Sequence, residues 1–356
     1  MSTQPVLLIR DSRFSLHLEN MPHLETPKRL RAFEEILSDP SLSGRMQEIS
    51  PRIATTEELA WVHTREHIQR VAGSAARPFT SFDLDTQATE NSYDVARLAA
   101  GGVFSLLDEI WNGRGKRGFA CVRPPGHHAE PGKAMGFCLF NNVALGARYL
   151  MEQYSVQRIM IIDIDVHHGN GTQAAFYDTD KVLFVSTHQF PGYPGTGNYG
   201  EVGEGKGEGY TVNVPLSKGL GDKDFARIIY YLINPLAQMY RPEIILVSCG
   251  FDLYIRDRLG GMAVTPEGYG LITFFLTEIA EKTCNGRIAF IMEGGYSLKG
   301  IRECGLAVMQ TLCGLPLIKA KVIDRIVGNS GGAQGISFLK KVLEVHKKRW
   351  RFFAGT

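Results

Sequence analysis

Three side chains with metal-binding chemistry follow one short apolar run. The stretch Arg158–Gly171, RIMIIDIDVHHGNG, opens with Ile159–Ile162, a run typical of a buried strand, and continues with Asp163, Asp165 and His167. Alternate residues of an extended chain point to the same side, so we expect these three side chains on one face. Two carboxylates buried side by side are strongly unfavourable without a cation. The spacing therefore predicts a divalent metal site.

A third ligand is expected from a second strand. The apolar run Ile244–Cys249 is followed by GFD, which ends at Asp252. The carboxyl ends of parallel strands face ligands at one edge of a sheet, so Asp252 is expected to meet Asp165 and His167 there. Two Asp and one His suit Zn²⁺ or Fe²⁺ and leave positions open for water and substrate, whereas a closed structural site normally uses Cys or four protein ligands.

Two adjacent histidines follow a third apolar run, Phe119–Val122. In the motif RPPGHH the Pro-Pro-Gly bend breaks the strand, so His127 and His128 can both turn towards one spot. Histidine is the side chain best suited to move protons near neutral pH. Asp163 is the expected partner of one imidazole and Asn170 of the other. The pair is therefore predicted to take part in catalysis.

A tyrosine follows a fourth apolar run, Ile288–Met292, in the motif EGGY. Two glycines let this loop approach closely, and the phenol of Tyr296 can donate a hydrogen bond to a developing oxyanion beside the metal. A loop tyrosine is more often a packing residue. Its position at the end of a strand, beside the other motifs, favours a catalytic role.

These motifs require a scaffold that brings strand ends together. Apolar β-branched runs alternate with segments whose apolar residues recur at three- and four-residue steps, which predicts a parallel sheet covered by helices on both faces. We find no linker rich in Pro, Ser or charge and no internal repeat, which favours one domain. The other predicted strands are Val6–Ile9, Val182–Ser186 and Tyr210–Val214, and the predicted helices are Thr89–Trp111, Leu139–Tyr154, Asp222–Tyr240, Pro266–Thr283 and Leu298–Leu312.

The bulk composition is that of an ordinary globular protein. The 356 residues are 44% apolar and 21% charged, with a formal net charge of +2, so steering towards nucleic acid or membrane is not expected. Six scattered cysteines without a CxxC pair argue against a disulfide framework and a zinc ribbon. The sequence shows neither a signal-peptide apolar region nor a membrane-length apolar run. A cytoplasmic location is expected.

Two further segments allow a functional and a structural interpretation. Gly200–Lys206 matches GxxxxGK, but Gly207 stands where a phosphate-binding loop needs Ser or Thr, which argues against nucleotide binding. Ile336–Phe353 mixes basic and apolar side chains, and a surface helix docked by its apolar stripe is favoured over a basic patch for an acidic partner. We expect a catalytic domain over residues 1–320 and a basic helical extension over residues 321–356, packed on it.

Together, RPPGHH, DIDVHHGNGTQ, GFD and EGGY resemble the histone deacetylase family, also called the acetoin utilization or acetylpolyamine amidohydrolase superfamily. The resemblance spans from HLETPKRL, beginning at His23, to about Gly314. It implies the arginase-like α/β fold, a single domain with a central eight-stranded parallel sheet between helices, and zinc-dependent removal of an acyl group from an amine. HHGNGTQ is the class II form, with Asn170 where class I members carry Asp, and indicates a class II-like, bacterial-type member.

The resemblance also implies a substrate tunnel. Gly136 and Phe137 on one side and Tyr193 on the other resemble the walls around an acylated lysine, and Tyr193 makes the tunnel more polar than the more common Phe. Asp85 resembles the rim aspartate that grips the substrate backbone. Leu259 stands where polyamine-selective members carry Glu, which weighs against a cationic polyamine substrate.

Structural K⁺ or Na⁺ sites are implied as well. By resemblance, the first lies around Asp163, Asp165, His167, Ser186 and Thr187, and the second around Phe176, Thr179, Val182 and Tyr210. The expected partner is an acylated lysine or a small acyl-amine; no nucleic acid and no membrane is expected, and the oligomeric state is left open.

The predicted activity is zinc-dependent hydrolysis of the amide of acetylated lysine. His128 is expected to move the protons, His127 to add positive potential, and Tyr296 to hold the oxyanion. The alternatives are hydrolysis of acetylpolyamines or longer acyl-amines on the same fold, and a binding module that reads acylated ligands without turnover. A ureohydrolase such as an arginase would need a second metal and more Asp ligands, whereas GFD offers only Asp252.

Overall fold

Eight strands pair into one parallel sheet in the computed structural model, which describes residues 4–315 and 336–350. Most of them are buried along their length, which is why they are continuous apolar runs in the sequence. Two short strands pair separately as an antiparallel hairpin. In chain order the strands are β1 (Val6–Ile9), β2 (Met46–Ile49), β3 (Thr80–Ser81), β4 (Gln87–Ala88), β5 (Arg117–Ala120), β6 (Ile159–Asp163), β7 (Val182–Gln189), β8 (Thr211–Leu216), β9 (Ile244–Cys249) and β10 (Ile288–Met292).

Helices flank this sheet. They are α1 (Lys28–Ile36), α2 (Thr56–Leu59), α3 (Arg65–Ala72), α4 (Ser92–Trp111), α5 (Asn142–Tyr154), α6 (Asn170–Ala175), α7 (Asp222–Ile228), α8 (Asn234–Tyr240), α9 (Pro266–Thr283), α10 (Leu298–Leu312) and α11 (Lys340–His346), with short 3-10 turns at Ser12–Leu16, Pro40–Leu42, Gly73–Ala76 and Gly205–Gly207. α4 packs against α5, β1 and β5, and α10 packs against α1 and α9. Among the described residues, none of the helices combines the length and apolarity needed to cross a membrane.

The strand order explains how distant motifs meet. Across the sheet it is β2-β1-β5-β10-β9-β6-β7-β8, so β5, β10, β9 and β6 are consecutive neighbours although they are far apart in the sequence. The register sets Met292 of β10 beside Cys249 of β9. It sets Asp163 of β6 beside Ser248 of β9. Since all these strands are parallel, the loops that follow them leave the same edge of the sheet side by side.

The observed sheet confirms the predicted fold. Each of the seven apolar runs predicted as strands is a strand, with ends that shift by up to three residues. The eighth strand, Met46–Ile49, was not singled out by its pattern. It lies at the edge of the sheet with the sequence MQEI and is only partly buried, so it lacks the continuous apolar run of a central strand.

The helix predicted over Asp222–Tyr240 is present but irregular. A π-helical turn, Ile229–Ile233, joins α7 to α8. Pro235 follows this turn and has no N–H to donate to the preceding turn of the helix. The missing N–H of Pro235 is therefore a local cause of the π-helical turn that precedes it.

The C-terminal segment packs on the domain through α11 and the residues beside it. Leu343 and Trp350 are buried, and the indole N–H of Trp350 donates to the carbonyl oxygen of Gly209 at 2.9 Å. The lysines of this segment are exposed. The described residues of this segment thus pack by apolar side chains, and the extension as a whole stays a prediction. The predicted boundary between residues 320 and 321, and the end of the predicted helix at Phe353, lie outside the described residues.

Because several histidines are buried, we expect the free energy of unfolding to depend on pH. Burial lowers the pKa of His17 and His63 to about 3 and that of His346 to about 4. The unfolded chain takes up these protons near pH 6.5 while the folded chain does not, so the stability is present above that pH and is lost as the pH falls towards the folded pKa values. We expect the unfolding free energy to drop by up to about 1.4 kcal/mol per histidine per pH unit in this window.

Urea unfolding at pH 7.5 and pH 5 measures this drop. His63→Gln is the matched control, because its amide can replace the bonds of the ring to Asn141 N and Glu130 O. The variant is expected to show a smaller drop than the parent protein. An equal drop in the two proteins would contradict the assignment for His63.

Candidate metal and active site

The Asp and His side chains predicted as metal ligands meet at the ends of β6 and β9. One ligand atom from each of Asp165, His167 and Asp252 can be chosen so that all three lie within 4.8 Å of one another. The His167 Nδ1 atom is 2.9 Å from Asp165 Oδ1 and 3.4 Å from Asp252 Oδ2. The two carboxylates are fully buried, and His167 is partly exposed. The described residues thus offer a compact Asp/His/Asp group with one side open.

The chemistry of this group fits a divalent cation. Asp252 Oδ2 is buried and has no hydrogen-bond partner among the residues that the structure describes. Burial, followed by the negative charge of Asp165, raises the pKa of Asp252 to about 7. Two carboxylates and an imidazole form a donor set that Zn²⁺ and Fe²⁺ accept. A bound cation would satisfy the unpaired oxygen and offset the repulsion of the two carboxylates.

Backbone amides hold the carboxylates in place. Asp165 Oδ2 accepts a hydrogen bond from Gly294 N at 2.9 Å, and Asp252 Oδ1 accepts one from Val166 N at 2.8 Å. Space at this point is tight, because a Cβ atom on Gly250 would lie 2.3 Å from Asp165 Oδ2. A Cβ atom on Gly294 would likewise lie 2.3 Å from Asp252 Oδ2, so the glycine of GFD and the first glycine of EGGY are required by the close approach of backbone to carboxylate.

The two histidines of RPPGHH face one spot, as predicted. Their ring centroids are 3.9 Å apart. The Nδ1 atom of His127 is 3.0 Å from Asp163 Oδ2, and that of His128 is 2.8 Å from Asn170 Oδ1. The Asn170 amide nitrogen donates to Glu130 Oε1 at 2.8 Å, which supports this orientation of the side-chain amide. Both expected partners are thus in place.

The two imidazoles differ in charge. Burial opposes protonation of His127, but the carboxylates of Asp163 and Asp165 outweigh it and raise its pKa to about 10. Burial, followed by the positive charge of His127, holds the pKa of His128 well below its usual value. The surroundings of the pair therefore favour a positive charge on His127 and a neutral ring at His128.

Glu293 supports this pair and was not singled out from the sequence. It is buried, and its Oε2 atom accepts hydrogen bonds from Gly126 N at 2.6 Å and His127 N at 3.1 Å. Its Oε1 atom accepts one from the Ser248 hydroxyl at 3.3 Å. The glutamate of EGGY thus holds the bend that turns the histidines inward, and its place in that motif was the only sequence signal for this role.

A tunnel of about 310 Å³ leads to the group. All five residues predicted to bind substrate line this tunnel: Asp85, Gly136, Phe137, Tyr193 and Leu259. Three further lining residues were not predicted from the sequence, namely Leu24, Val166 and Gln189. The ring of Tyr193 meets the ring of His128 edge-on, with centroids 5.0 Å apart. The Phe137 ring stands 5.7 Å from that of Tyr296. The walls of the tunnel are therefore largely aromatic and apolar.

Residues of the predicted first monovalent-cation site lie on neighbouring strands. Asp163 and Ser186 are paired across β6 and β7, and the hydroxyl of Thr187 donates to the Asp163 carbonyl oxygen at 3.2 Å. At the predicted second site, the guanidinium of Arg349 lies 4.5 Å from the centre of the Tyr210 ring. A positive side chain next to this second site was not anticipated from the sequence.

The fold and the site together define a class of protein. It is an α/β protein of the arginase and deacetylase type, whose adjacent strand ends carry an Asp/His/Asp group, a histidine pair and a tyrosine around one tunnel. The family model described as the histone deacetylase domain matches residues 23–312. The chain belongs to the histone deacetylase family.

Several relatives share most of this chain. Histone deacetylase 15 of Arabidopsis thaliana is 43% identical over 85% of the chain and 56% of its own length. Histone deacetylase HDA1 of Saccharomyces cerevisiae is 37% identical over 93% of the chain and 50% of its own length. The chain thus spans about half the length of these two relatives. It spans 96% of a probable deacetylase of Archaeoglobus fulgidus, which is 36% identical over 95% of the chain.

A solved structure confirms the fold. The crystal structure of the HDA15 HD domain superposes with a TM-score of 0.88 at 38% identity and covers 99% of this chain and 97% of its own. Such an overlap extends over the whole sheet and the strand ends that carry the site.

Proposed function

We propose that this protein is a zinc-dependent deacylase that hydrolyses the amide of acetylated lysine to a free amine and acetate. The observation that carries the proposal is the meeting of the Asp/His/Asp group, the imidazoles of His127 and His128, and Tyr296 around one apolar tunnel. The names of the relatives, which are histone deacetylases and a probable deacetylase, support the same activity. We also propose that the protein is a class II-like member of the family, because its motif HHGNGTQ has the class II form.

Zn²⁺, with Fe²⁺ as the alternative, would be held by Asp165, His167 and Asp252, and when bound it supplies a Lewis acid that polarises the substrate carbonyl and acidifies water. K⁺ or Na⁺ at the sites around Asp163 and Tyr210 is proposed as structural. The zinc assignment rests on the Asp/His/Asp donor set described above and on the family, and the monovalent-cation assignment rests on the resemblance to the family.

His128 is the proposed proton carrier. The side-chain oxygen of Asn170 can only accept a hydrogen bond, so the Nδ1 atom of His128 carries the proton in that bond and the Nε2 atom is left with a lone pair. The depressed pKa keeps this imidazole neutral and ready to take a proton from water. The same Nε2 atom can then return the proton to the departing amine.

His127 and Tyr296 are proposed to stabilise negative charge. The Nε2 atom of His127 lies 3.8 Å from Asp165 Oδ1, so the imidazolium adds positive potential next to the metal ligands. The phenol of Tyr296 lines the tunnel. Burial, which is the main cause, holds the pKa of this phenol well above its usual value. The phenol therefore stays protonated and able to donate a hydrogen bond to an oxyanion.

The tunnel favours an aliphatic stem with a neutral acyl end. Phe137 and Tyr193 provide apolar surface for the methylene groups of lysine, and Asp85, which also lines the tunnel, is proposed to accept a hydrogen bond from a substrate backbone N–H. Leu259 presents no charge to a polyamine. These features support an acyl-lysine over an acetylpolyamine as the substrate. The cytoplasmic location expected from the sequence stays a prediction.

Side-by-side kcat/KM values on an acetyl-lysine peptide, acetylputrescine and a longer acyl-lysine test the proposal. We expect the acetyl-lysine peptide to be the best of the three by at least tenfold. A preference for acetylputrescine or the longer acyl group would retain the chemistry and change the substrate. No released carboxylate from any of them with zinc-loaded protein would support a binding module and end the enzymatic proposal.

A further inference from the structure

The loop that carries Tyr296 needs an anchor outside itself. Two glycines precede the tyrosine, and Gly295 adopts φ +113°, a conformation that favours glycine. Glycine is also required there by space, since a Cβ atom on Gly295 would lie 2.6 Å from the Cβ atom of Phe251. Because glycine restricts the backbone least, this pair cannot by itself fix the direction in which Tyr296 leaves the strand.

The carboxylate of Asp257 provides such an anchor. Its Oδ2 atom accepts hydrogen bonds from Tyr296 N at 2.7 Å and Ser297 N at 2.9 Å. Ser297 is the N-cap of α10, where free N–H groups favour a negative charge. Asp257 is itself held by its backbone N–H, which donates to the Tyr254 carbonyl oxygen at 2.8 Å.

The second oxygen of the same carboxylate holds the loop that carries Asp257 itself, between β9 and α9. Asp257 Oδ1 accepts hydrogen bonds from Leu259 N at 2.9 Å and Gly260 N at 3.4 Å. Leu259 lines the tunnel. Gly260 packs so closely on the metal-site loop that a Cβ atom there would lie 2.0 Å from the carbonyl oxygen of Asp252. One side chain therefore connects the loop of the proposed catalytic tyrosine with a wall of the tunnel.

We infer that Asp257 is a positioning residue that sets the loop of Tyr296 and the loop of Leu259 in fixed relation to each other. Four N–H donors converge on it, and only an ionised carboxylate can accept from both sides at once. An amide in its place would turn an NH₂ group towards one donor pair. The functional consequence, alignment of the phenol with the bound acyl group, rests on the proposed function.

Hydrogen exchange on the zinc-loaded full chain tests the contacts without any need for turnover. In Asp257→Ala, we expect the amides of Leu259, Tyr296 and Ser297 to exchange at least tenfold faster than in the parent protein. Asp257→Asn keeps one oxygen and should release only one of the two loops, and it serves as the second variant if the alanine protein does not fold. Unchanged protection at both loops would overturn the inference.

A matched control separates positioning from general loss of stability. Asp222 also accepts hydrogen bonds at a helix start, from Thr265 N at 2.8 Å and the Thr265 hydroxyl at 2.7 Å, next to α9 rather than the tunnel. Asp222→Ala should lower the melting temperature while kcat stays within about twofold of the parent value. An equal loss of kcat in both variants would show a merely structural role for Asp257.

A double-mutant cycle then asks whether Asp257 acts through the tyrosine. We expect Asp257→Asn to lower kcat at least tenfold, yet to lower it less than threefold further in a Tyr296→Phe background, with one zinc per chain throughout. Full additivity, or lost zinc, would overturn the inference. If the parent protein itself shows no turnover, the proposed function fails, and hydrogen exchange alone still decides the role of Asp257.

Discussion

Tyr296→Phe is expected to lower kcat on an acetyl-lysine peptide by about a hundredfold or more. Loss of one oxyanion donor typically has an effect of this size, because the donor is positioned for charge that develops only in the transition state. The ring of Tyr296 should remain in place because two neighbours pack against it. Its centroid lies 5.7 Å from the centroid of the Phe137 ring and 5.3 Å from the guanidinium carbon of Arg29. KM and zinc content should therefore change little.

The matched control is Tyr254→Phe. Tyr254 lies in the loop after β9, and its hydroxyl donates to Glu303 Oε2 at 3.1 Å rather than into the tunnel. This variant should keep kcat within about twofold of the parent. Near-normal turnover by Tyr296→Phe would remove the oxyanion role from the tyrosine and leave it a packing residue.

Glu25→Ala is expected to destabilise the protein by about 3 to 5 kcal/mol, the cost typical of removing one partner from a buried ion pair. Glu25, Arg29 and Arg123 are all buried. Glu25 Oε1 accepts from Arg29 Nη1 at 2.7 Å, and Glu25 Oε2 accepts from Arg123 Nη2 at 2.7 Å. Burial alone would raise the pKa of this carboxyl, but the two guanidiniums hold it well below its usual value.

The buried cluster of Glu25, Arg29 and Arg123 also supports the site. The Nε atom of Arg29 donates to the Gly295 carbonyl oxygen at 2.6 Å, and Arg123 precedes the Pro-Pro-Gly bend. Loss of Glu25 should therefore lower both stability and turnover.

Urea unfolding measures the loss of stability, and Glu48→Ala is the control. Glu48 pairs with Arg10 on the surface, with 2.6 Å between the charged atoms. A surface ion pair of this kind contributes about 1 kcal/mol or less. Similar losses of stability in the two variants would contradict this account of the cluster.

Local spacing was sufficient to predict which groups meet within a motif. Asp163 is the last residue of β6 and contacts His127, while Asp165 and His167 lie in the bend that follows and come together at the metal group. The bend before His127 and His128 likewise has a local cause in Pro-Pro-Gly. Their proposed roles remain proposals, but their proximity followed from the sequence.

Contacts between loops distant in sequence were beyond the reach of this reasoning. Glu25 meets Arg123 across 98 residues and Asp257 meets Tyr296 across 39, and no period or spacing encodes either contact. They depend on the order of strands in the sheet, which single-sequence patterns leave open. The edge strand Met46–Ile49 was missed for a different reason, since partial exposure removes the apolar run by which a central strand is found.

The most direct test of the central claim is a zinc titration of chelator-stripped protein, with acetate release from an acetyl-lysine peptide as the readout. We expect no release without metal, full recovery at one zinc per chain, and no recovery in Asp252→Ala, whose site lacks one of its three ligands. Undiminished release from the stripped protein, or recovery that requires two metal ions per chain, would contradict a single metal at Asp165, His167 and Asp252.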